Sequence, residues 1–416
     1  MPTSSGDGFS SGRVFVSQRR SPSVDRPKAL PMRVLLVSEP GGDGVFRHVR
    51  ELCHYLVANG VEVHLAYSDR RASDALPDLV DFVAAHGGQC LNLRVVSGPR
   101  PGDIPALGHL RRFARQVKPD IIHGHSSKAG VLARALRLLG FPAAYCYTPH
   151  AYYGLYPRNW LTPIYNGIER LLARAATTIH VSDDERRFGA DRLGIPPELC
   201  VTIPNSCDTD HLVPGTGEQR RNWRLEKGLP KDAVVIGNMA RLCFQKDPET
   251  LYRALAQALA EGRDLYLFHA GQGELAAPME ELARELGIEK RVIRRDYFRD
   301  PAEFYRVLDG LILTSRYEGL PLTMLEGLSC DLPLVCGTGP GTSDIANAGL
   351  SHCWTAGVGD VAGFSRAIGA WLDDRPLHRP SNHRKTAQVR YSPKACYGAI
   401  LALYQALLLQ GAARSD

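Results

Sequence analysis

The chain has 416 residues, 44% of them hydrophobic and 23% charged, with a net charge of +6. That length is too great for one comfortable hydrophobic core and implies two domains, while the composition excludes wholesale disorder and fibrous repeats. The positive charge is modest and dispersed, which argues against a nucleic-acid partner, and no apolar run approaches the roughly eighteen residues of a membrane span.

Residues 1–31 are rich in Ser, Gly, Pro and Arg, lack an apolar centre, and read as a disordered leader. From residue 32 short apolar runs alternate with amphipathic stretches: RVLLVS, a helix over 46–58, VEVHLAY, DIIHGH, a helix over 127–139, AAYCYT, a helix over 160–175, TTIHVS and CVTIP. At Asn205 the polar stretch NSCDTDHLVPGTGEQ interrupts this rhythm and reads as a hinge. A second series follows, with AVVIGNMA, a helix over 248–259, LYLFHAG, a helix over 274–286, RVI, GLILTS and LPLVCG. Continuous apolar strands separated by helices imply parallel sheets covered on both faces. The expected fold is α/β, with two Rossmann-like domains at 32–205 and 206–385 facing each other across a cleft lined by strand carboxyl ends. A last helix over 393–409, within a segment 386–416, is free to cross back to the first domain.

Ten cysteines are scattered without a C-x-x-C pair, which suggests reduced thiols and a cytoplasmic chain. Arg111, Arg112, Arg115 and Lys118 have helical spacing; they read as a solvated helix face, or as a contact for anionic lipid headgroups.

The stretch RYEGLPLTMLEGLSCDLPLV, residues 316–335, carries the chemistry. GLILTS is a strand, 316–321 its loop and 322–329 a helix, so the loop faces the cleft. Backbone N–H groups near Leu322 and Thr323 have no partner inside the helix and can bind phosphate. Glu318 and Glu326, roughly 12 Å apart if the helix were continuous, can accept from sugar hydroxyls on either side of that phosphate. The plainer alternative makes Glu318 a helix cap and Glu326 part of a solvated face. Arg241 and Lys246 lie five apart in the loop after AVVIGNMA, before a helix that Pro248 opens, where they can balance diphosphate charge. His123 and His125 form an H-x-H at a strand end, too few ligands for a zinc site, so no metal is expected and His125 is read as lining the cleft.

ARLCFQKDPETL, AGQGE, SRYEGLPLTMLEGLSCDLPLV, IPNSCD, DIIHGHSSKAG and RVLLVSEPGG together resemble the retaining glycosyltransferases of the large family 4, with the GT-B fold, over 32–409. The resemblance implies that Arg241 and Lys246 hold the diphosphate of a nucleotide-sugar donor, Glu318 the transferred sugar and Glu326 the ribose. It also implies that backbone amides of Gly319, Leu322 and Thr323 support sugar and phosphate. Gly41 and Gly42 would form the glycine loop that lets backbone approach phosphate or acceptor, and His150 would lie near the reacting sugar. The implied reaction transfers a hexose to a sugar or lipid-linked sugar, in cell-surface polysaccharide or glycolipid assembly, without a cofactor or metal. Where relatives commonly carry Asn-Gly-x-Asp, this chain has Asn205, Ser206, Cys207 and Asp208, which leaves those positions without an assigned role.

Three other readings compete. A nicotinamide dehydrogenase is disfavoured because Arg47 stands where the dinucleotide fingerprint needs its third Gly or Ala. A nucleotide-sugar epimerase would share the architecture, and a non-catalytic binder would keep the donor side without turnover.

Overall fold

The computed structural model describes residues 31–41, 43–70, 72–96, 98–156, 160–374 and 381–412. The leader expected at 1–31 thus lies outside the described residues except for Pro31, and so does Gly42.

Strands β1 (Arg33–Ser38), β2 (Glu62–Tyr67), β3 (Cys90–Asn92), β4 (Ile121–His125), β5 (Ala144–Thr148), β6 (Thr177–His180) and β7 (Cys200–Thr202) form one sheet in the order β3-β2-β1-β4-β5-β6-β7. Strands β8 (Val235–Met239), β9 (Tyr266–Ala270), β10 (Val292–Arg295), β11 (Gly310–Leu313), β12 (Leu334–Gly337) and β13 (Cys353–Ala356) form a second, in the order β10-β9-β8-β11-β12-β13. All pairings are parallel. Each sheet reverses its order once, between β1 and β4 and between β8 and β11. At such a point successive crossovers leave on opposite faces, and a crevice opens at the carboxyl ends. The register places Ser38 at the end of β1 beside His125 at the end of β4.

Strand β1 shows why its sequence is uniformly apolar. Val34 and Leu36 enter the core on one face, Leu35 and Val37 the core on the other. The second sheet is likewise sandwiched, with Leu311 and Leu313 on one side and Ile236 and Ile312 on the other. Part of the first sheet's cover comes from far along the chain: Cys396, Tyr397, Ile400 and Tyr404 of the helix Pro393–Ala412 join Val34 and Leu36. Tyr404 Oη lies 2.6 Å from His123 Nδ1, and Tyr397 donates to Glu51 at 3.0 Å.

The segment read as a hinge is packed. Asn205 Nδ2 donates to the Leu320 carbonyl at 2.8 Å, and Cys207 N to that of Tyr391 at 2.8 Å. Cys207 and Leu212 sit in the second sheet's core.

Two buried polar devices shape the first half near the cleft. Arg134 pairs with Glu169 at 2.9 Å and lies 3.8 Å over the Tyr147 ring, whose hydroxyl also donates to Glu169. A Cβ at Gly130 would fall 2.1 Å from that ring, so only glycine lets the helix Ser126–Leu138 lie against β5. Glu185, in the first turn of the helix Asp183–Leu193, accepts from Ala151 N at 2.6 Å and Val181 N at 2.8 Å. Burial lifts its carboxyl from the ordinary 4.5 to about 7, against the opposing pull of those two N–H groups.

Gly130→Ala is expected to destabilise the fold by about 1–3 kcal/mol through overpacking against a ring that cannot withdraw, read as a lower urea midpoint at unchanged slope. Glu185, with its raised value, contributes stability that is complete below 4.5 and is lost as pH rises through about 7. Glu185→Gln removes that titration. Whatever constant cost the amide brings, the Tm difference between variant and wild type should move in the variant's favour from pH 5 to pH 8; a constant difference refutes the assignment.

Candidate functional site

The loops after β8 and β11 are stitched together where the second sheet reverses. Arg316 N donates to the Gln245 carbonyl at 2.8 Å, and Gln245 Nε2 to that of Tyr317 at 3.1 Å. Asp247, in a left-handed conformation at φ 50°, accepts from Arg316 Nη2 at 2.7 Å and from Thr250 Oγ1 at 2.8 Å. This frame presents Lys246 Nζ to Glu318 Oε1 at 2.5 Å. Both side chains are largely buried, so loss of either partner strands a charge at a cost of about 3–5 kcal/mol. Arg241, three residues beyond Asn238, whose Nδ2 ties β8 to β11 by donating to the Ile312 carbonyl at 2.7 Å, is solvent-exposed and makes no ion pair among the described residues. Its loop rests on AGQGE: Leu242 N donates to Gln272 O at 2.9 Å, and a Cβ at Gly273 would strike the Leu242 backbone.

The helix Leu322–Ser329 follows immediately. No side chain caps it, so Glu318 is not the cap that the plainer alternative supposed. The helix's own hydrogen bonding begins with Met324 N to Pro321 O at 3.1 Å, which leaves the N–H groups of Leu322 and Thr323 ahead of it. The helix Asp43–Ala58 of the first half starts against the same point: a Cβ at Gly44 would lie 3.5 Å from Leu322 Cδ1. Two positive helix ends therefore converge on one place, a setting that favours an anion.

Glu326 does not lie on a solvated face. It is 1% exposed, and it is held by an ion pair to Arg47 Nη1 and by the Tyr305 hydroxyl. Arg47 Nε donates to Glu51 at 3.1 Å, and Glu51 in turn accepts from Tyr397. Burial works against the Arg47 charge, yet Glu326 and Glu51 raise its pKa above the usual value for arginine. The Tyr305 phenol is pushed well up, by burial first and then by Glu326.

On the first half, His48, His125 and His150 each place one ring nitrogen within 4.8 Å of the others. His125 Nδ1 and His150 Nε2 are 3.2 Å apart, and the rings of His48 and His150 meet edge to face at 4.7 Å. Burial, reinforced by neighbouring imidazoles, depresses His125 and His150 well below the ordinary histidine value, and burial takes His48 down to about 4. The cluster is thus neutral at physiological pH. His150 and Ala151 carry φ of 58° and 92°, conformations that side chains adopt only under constraint, and Glu185 supplies it by accepting from Ala151 N. The loop touches the second half, since a Cβ at Gly319 would lie 3.0 Å from Ala151 N and His150 C.

The structure revises several expectations. His123 packs against the His125 ring, centroids 3.9 Å apart, while its nitrogens face Tyr404 and Thr148 Oγ1, the latter at 2.8 Å. The third imidazole beside His125 and His150 is His48, so three potential metal ligands meet where spacing offered two. The space that Gly41 saves is taken by its own chain, because a Cβ there would lie 2.8 Å from Ser68 O and 3.0 Å from Ala72 Cα. Nothing in the sequence pattern marks Arg47, Tyr305 or His48 as site residues. Their only trace in the sequence was Arg47 occupying the place of a fingerprint glycine.

Residues 42–211 match the family described as Glycosyltransferase Family 4, and residues 219–389 that described as Glycosyl transferases group 1. The chain is 26% identical over 297 residues to UDP-Gal:alpha-D-GlcNAc-diphosphoundecaprenol alpha-1,3-galactosyltransferase of Escherichia coli, covering 70% of this chain and 74% of that protein. It is 28% identical over 433 residues to D-inositol 3-phosphate glycosyltransferase of Geodermatophilus obscurus, covering 94% and 93%. Among solved structures, Anabaena Alr3699/HepE in complex with UDP-glucose superposes with TM-score 0.74 at 18% identity, over 90% of this chain and all of that one. Sucrose-phosphate synthase from Thermosynechococcus elongatus gives TM-score 0.76 at 18% identity, over 91% and 100%. With matches on both halves and this two-sheet architecture, the chain belongs to the family 4, group 1 glycosyltransferases and has their GT-B fold.

Proposed function

We propose that the protein is a retaining hexosyltransferase that uses a nucleotide diphosphate sugar and passes the hexose to a hydroxyl of a sugar or lipid-linked sugar. The observation that carries this reading is the buried Lys246–Glu318 pair at the start of a helix whose free amides and Glu326 follow directly. A donor laid across that mouth would place its sugar hydroxyls at Glu318, its diphosphate between Lys246, Arg241 and the amides of Leu322 and Thr323, and its ribose at Glu326. The galactosyltransferase relative, named for a diphosphoundecaprenol acceptor, supports a lipid-linked acceptor in surface polysaccharide or glycolipid assembly.

In the reaction the acceptor oxygen bonds to the anomeric carbon as the bond from that carbon to the diphosphate oxygen breaks. Both events occur on one face, so configuration is retained, and the departing phosphate takes the acceptor's proton. Lys246, Arg241 and the helix terminus stabilise the charge that develops on it, in place of a metal ion. His150 and the backbone of Gly319, in contact across the cleft, would border the sugar on the acceptor side. Because His150 is neutral, it offers hydrogen bonding without drawing the diphosphate away from its cations.

No helix among the described residues is long and apolar enough to cross a membrane. A lipid-linked acceptor would bring the chain to the inner face of the cytoplasmic membrane, where the exposed Arg112, Arg115 and Lys118 suit anionic headgroups.

A panel of nucleotide sugars should contain one that raises Tm through selective binding to the folded state. Incubated without acceptor, that compound should keep its sugar configuration, since conversion would mark an epimerase. Glu326→Ala is expected chiefly to weaken nucleotide binding and Glu318→Ala chiefly to lower turnover, by about 10²-fold. Negligible effects from both would refute the site.

A further inference from the structure

Glu326 presents a difficulty that its assignment to ribose does not resolve. A carboxylate 1% exposed is costly to bury without partners, and both of its oxygens are already engaged, one by Arg47 and one by Tyr305. A ribose diol must share or replace one of these partners. Separating the charged pair would strand Glu326, whereas displacing the phenol exchanges one neutral hydroxyl for another. The phenol is therefore the partner that yields.

Arg47 is also the better anchored of the two. Its Nε is fixed by Glu51 one helical turn on, and Glu51 by the hydroxyl of Tyr397, which is 1% exposed. Tyr397 belongs to the C-terminal helix, Glu51 and Arg47 to the helix Asp43–Ala58, and Glu326 to the second half. The side chain that grips the carboxylate is thus supplied by the opposite half and braced by a third segment.

Resting on the nucleotide-sugar reading above, we infer that Arg47 is a positioning residue for the ribose. It holds Glu326 by one oxygen, so that the other oxygen accepts the diol when the Tyr305 hydroxyl gives way. The first half, which presents the acceptor side, thereby completes the donor's ribose subsite. His48, the next residue, reaches the histidine cluster from the same helical turn, so ribose and acceptor subsites share one rigid support.

The test compares UDP and GDP with their 2′,3′-dideoxy analogues by titration calorimetry on the full chain. Wild type should prefer the ribose form of whichever nucleotide it binds by at least about tenfold, because the buried carboxylate is left unanswered by the analogue. In Arg47→Met the ribose form should weaken at least about tenfold and the dideoxy form by much less, so the preference collapses. Arg47→Lys, which restores the charge but not the fork held by Glu51, should recover part of it. If the Met variant does not fold, the Lys variant decides, with a several-fold loss of preference expected. Equal weakening of both forms would make Arg47 a general cation and overturn the inference, as would an unchanged preference. Failure of wild type to bind either diphosphate would overturn the donor reading itself, and the role of Arg47 with it.

Discussion

Both acids at the mouth of the second sheet are sunk in protein, and each is paired with a cation from a distant part of the chain. Lys246 meets Glu318 from the loop after β8; Arg47 meets Glu326 from the opposite half. Each pair matters because an unpaired buried charge is among the costliest features a fold can carry. The geometry of the mouth follows from this requirement. The loop before Pro248 turns through a left-handed Asp247, and Gln245 bonds the Tyr317 backbone, so that one ammonium stands beside one carboxylate.

The same requirement explains why the two halves meet so closely at this point. Gly319 has no side chain where it passes His150 and Ala151, Gly44 none where it passes Leu322, and Asp184 accepts from Gly341 N at 2.9 Å from across the cleft. Tyr156 stacks on Tyr317 with rings 5.5 Å apart and 9° from parallel. These contacts place the neutral histidine cluster opposite the charged donor loops. Lys246 and Glu318 thus stand on one wall, while the other brings the neutral imidazoles together with one cation, Arg47, already paired to Glu326.

The family's strand alternation and the E-x7-E loop were legible because they depend on local chemistry. A parallel sheet buried on both faces needs uninterrupted apolar strands, so β1, β4, β8 and β11 could be read directly, and a strand followed by a loop and a helix start says where free N–H groups lie. The alternation of Val34 and Leu36 with Leu35 and Val37 between two cores is that rule at work. Lys246 and Glu318 could be matched by type, yet the sequence carries no measure of the 2.5 Å between them.

By itself, then, the sequence determined the two α/β series, their order, the cleft-facing helix start and the residue types suited to a sugar diphosphate. Only the tertiary structure decided that Arg47 answers Glu326, that Tyr305 occupies its second oxygen, that His48 rather than His123 joins His125 and His150, and that the last helix covers the first sheet. The reason is physical: each of these depends on contacts between groups tens to hundreds of residues apart, where periodicity and local propensity are silent and only the packing of one sheet's helices against another's loops brings partners together.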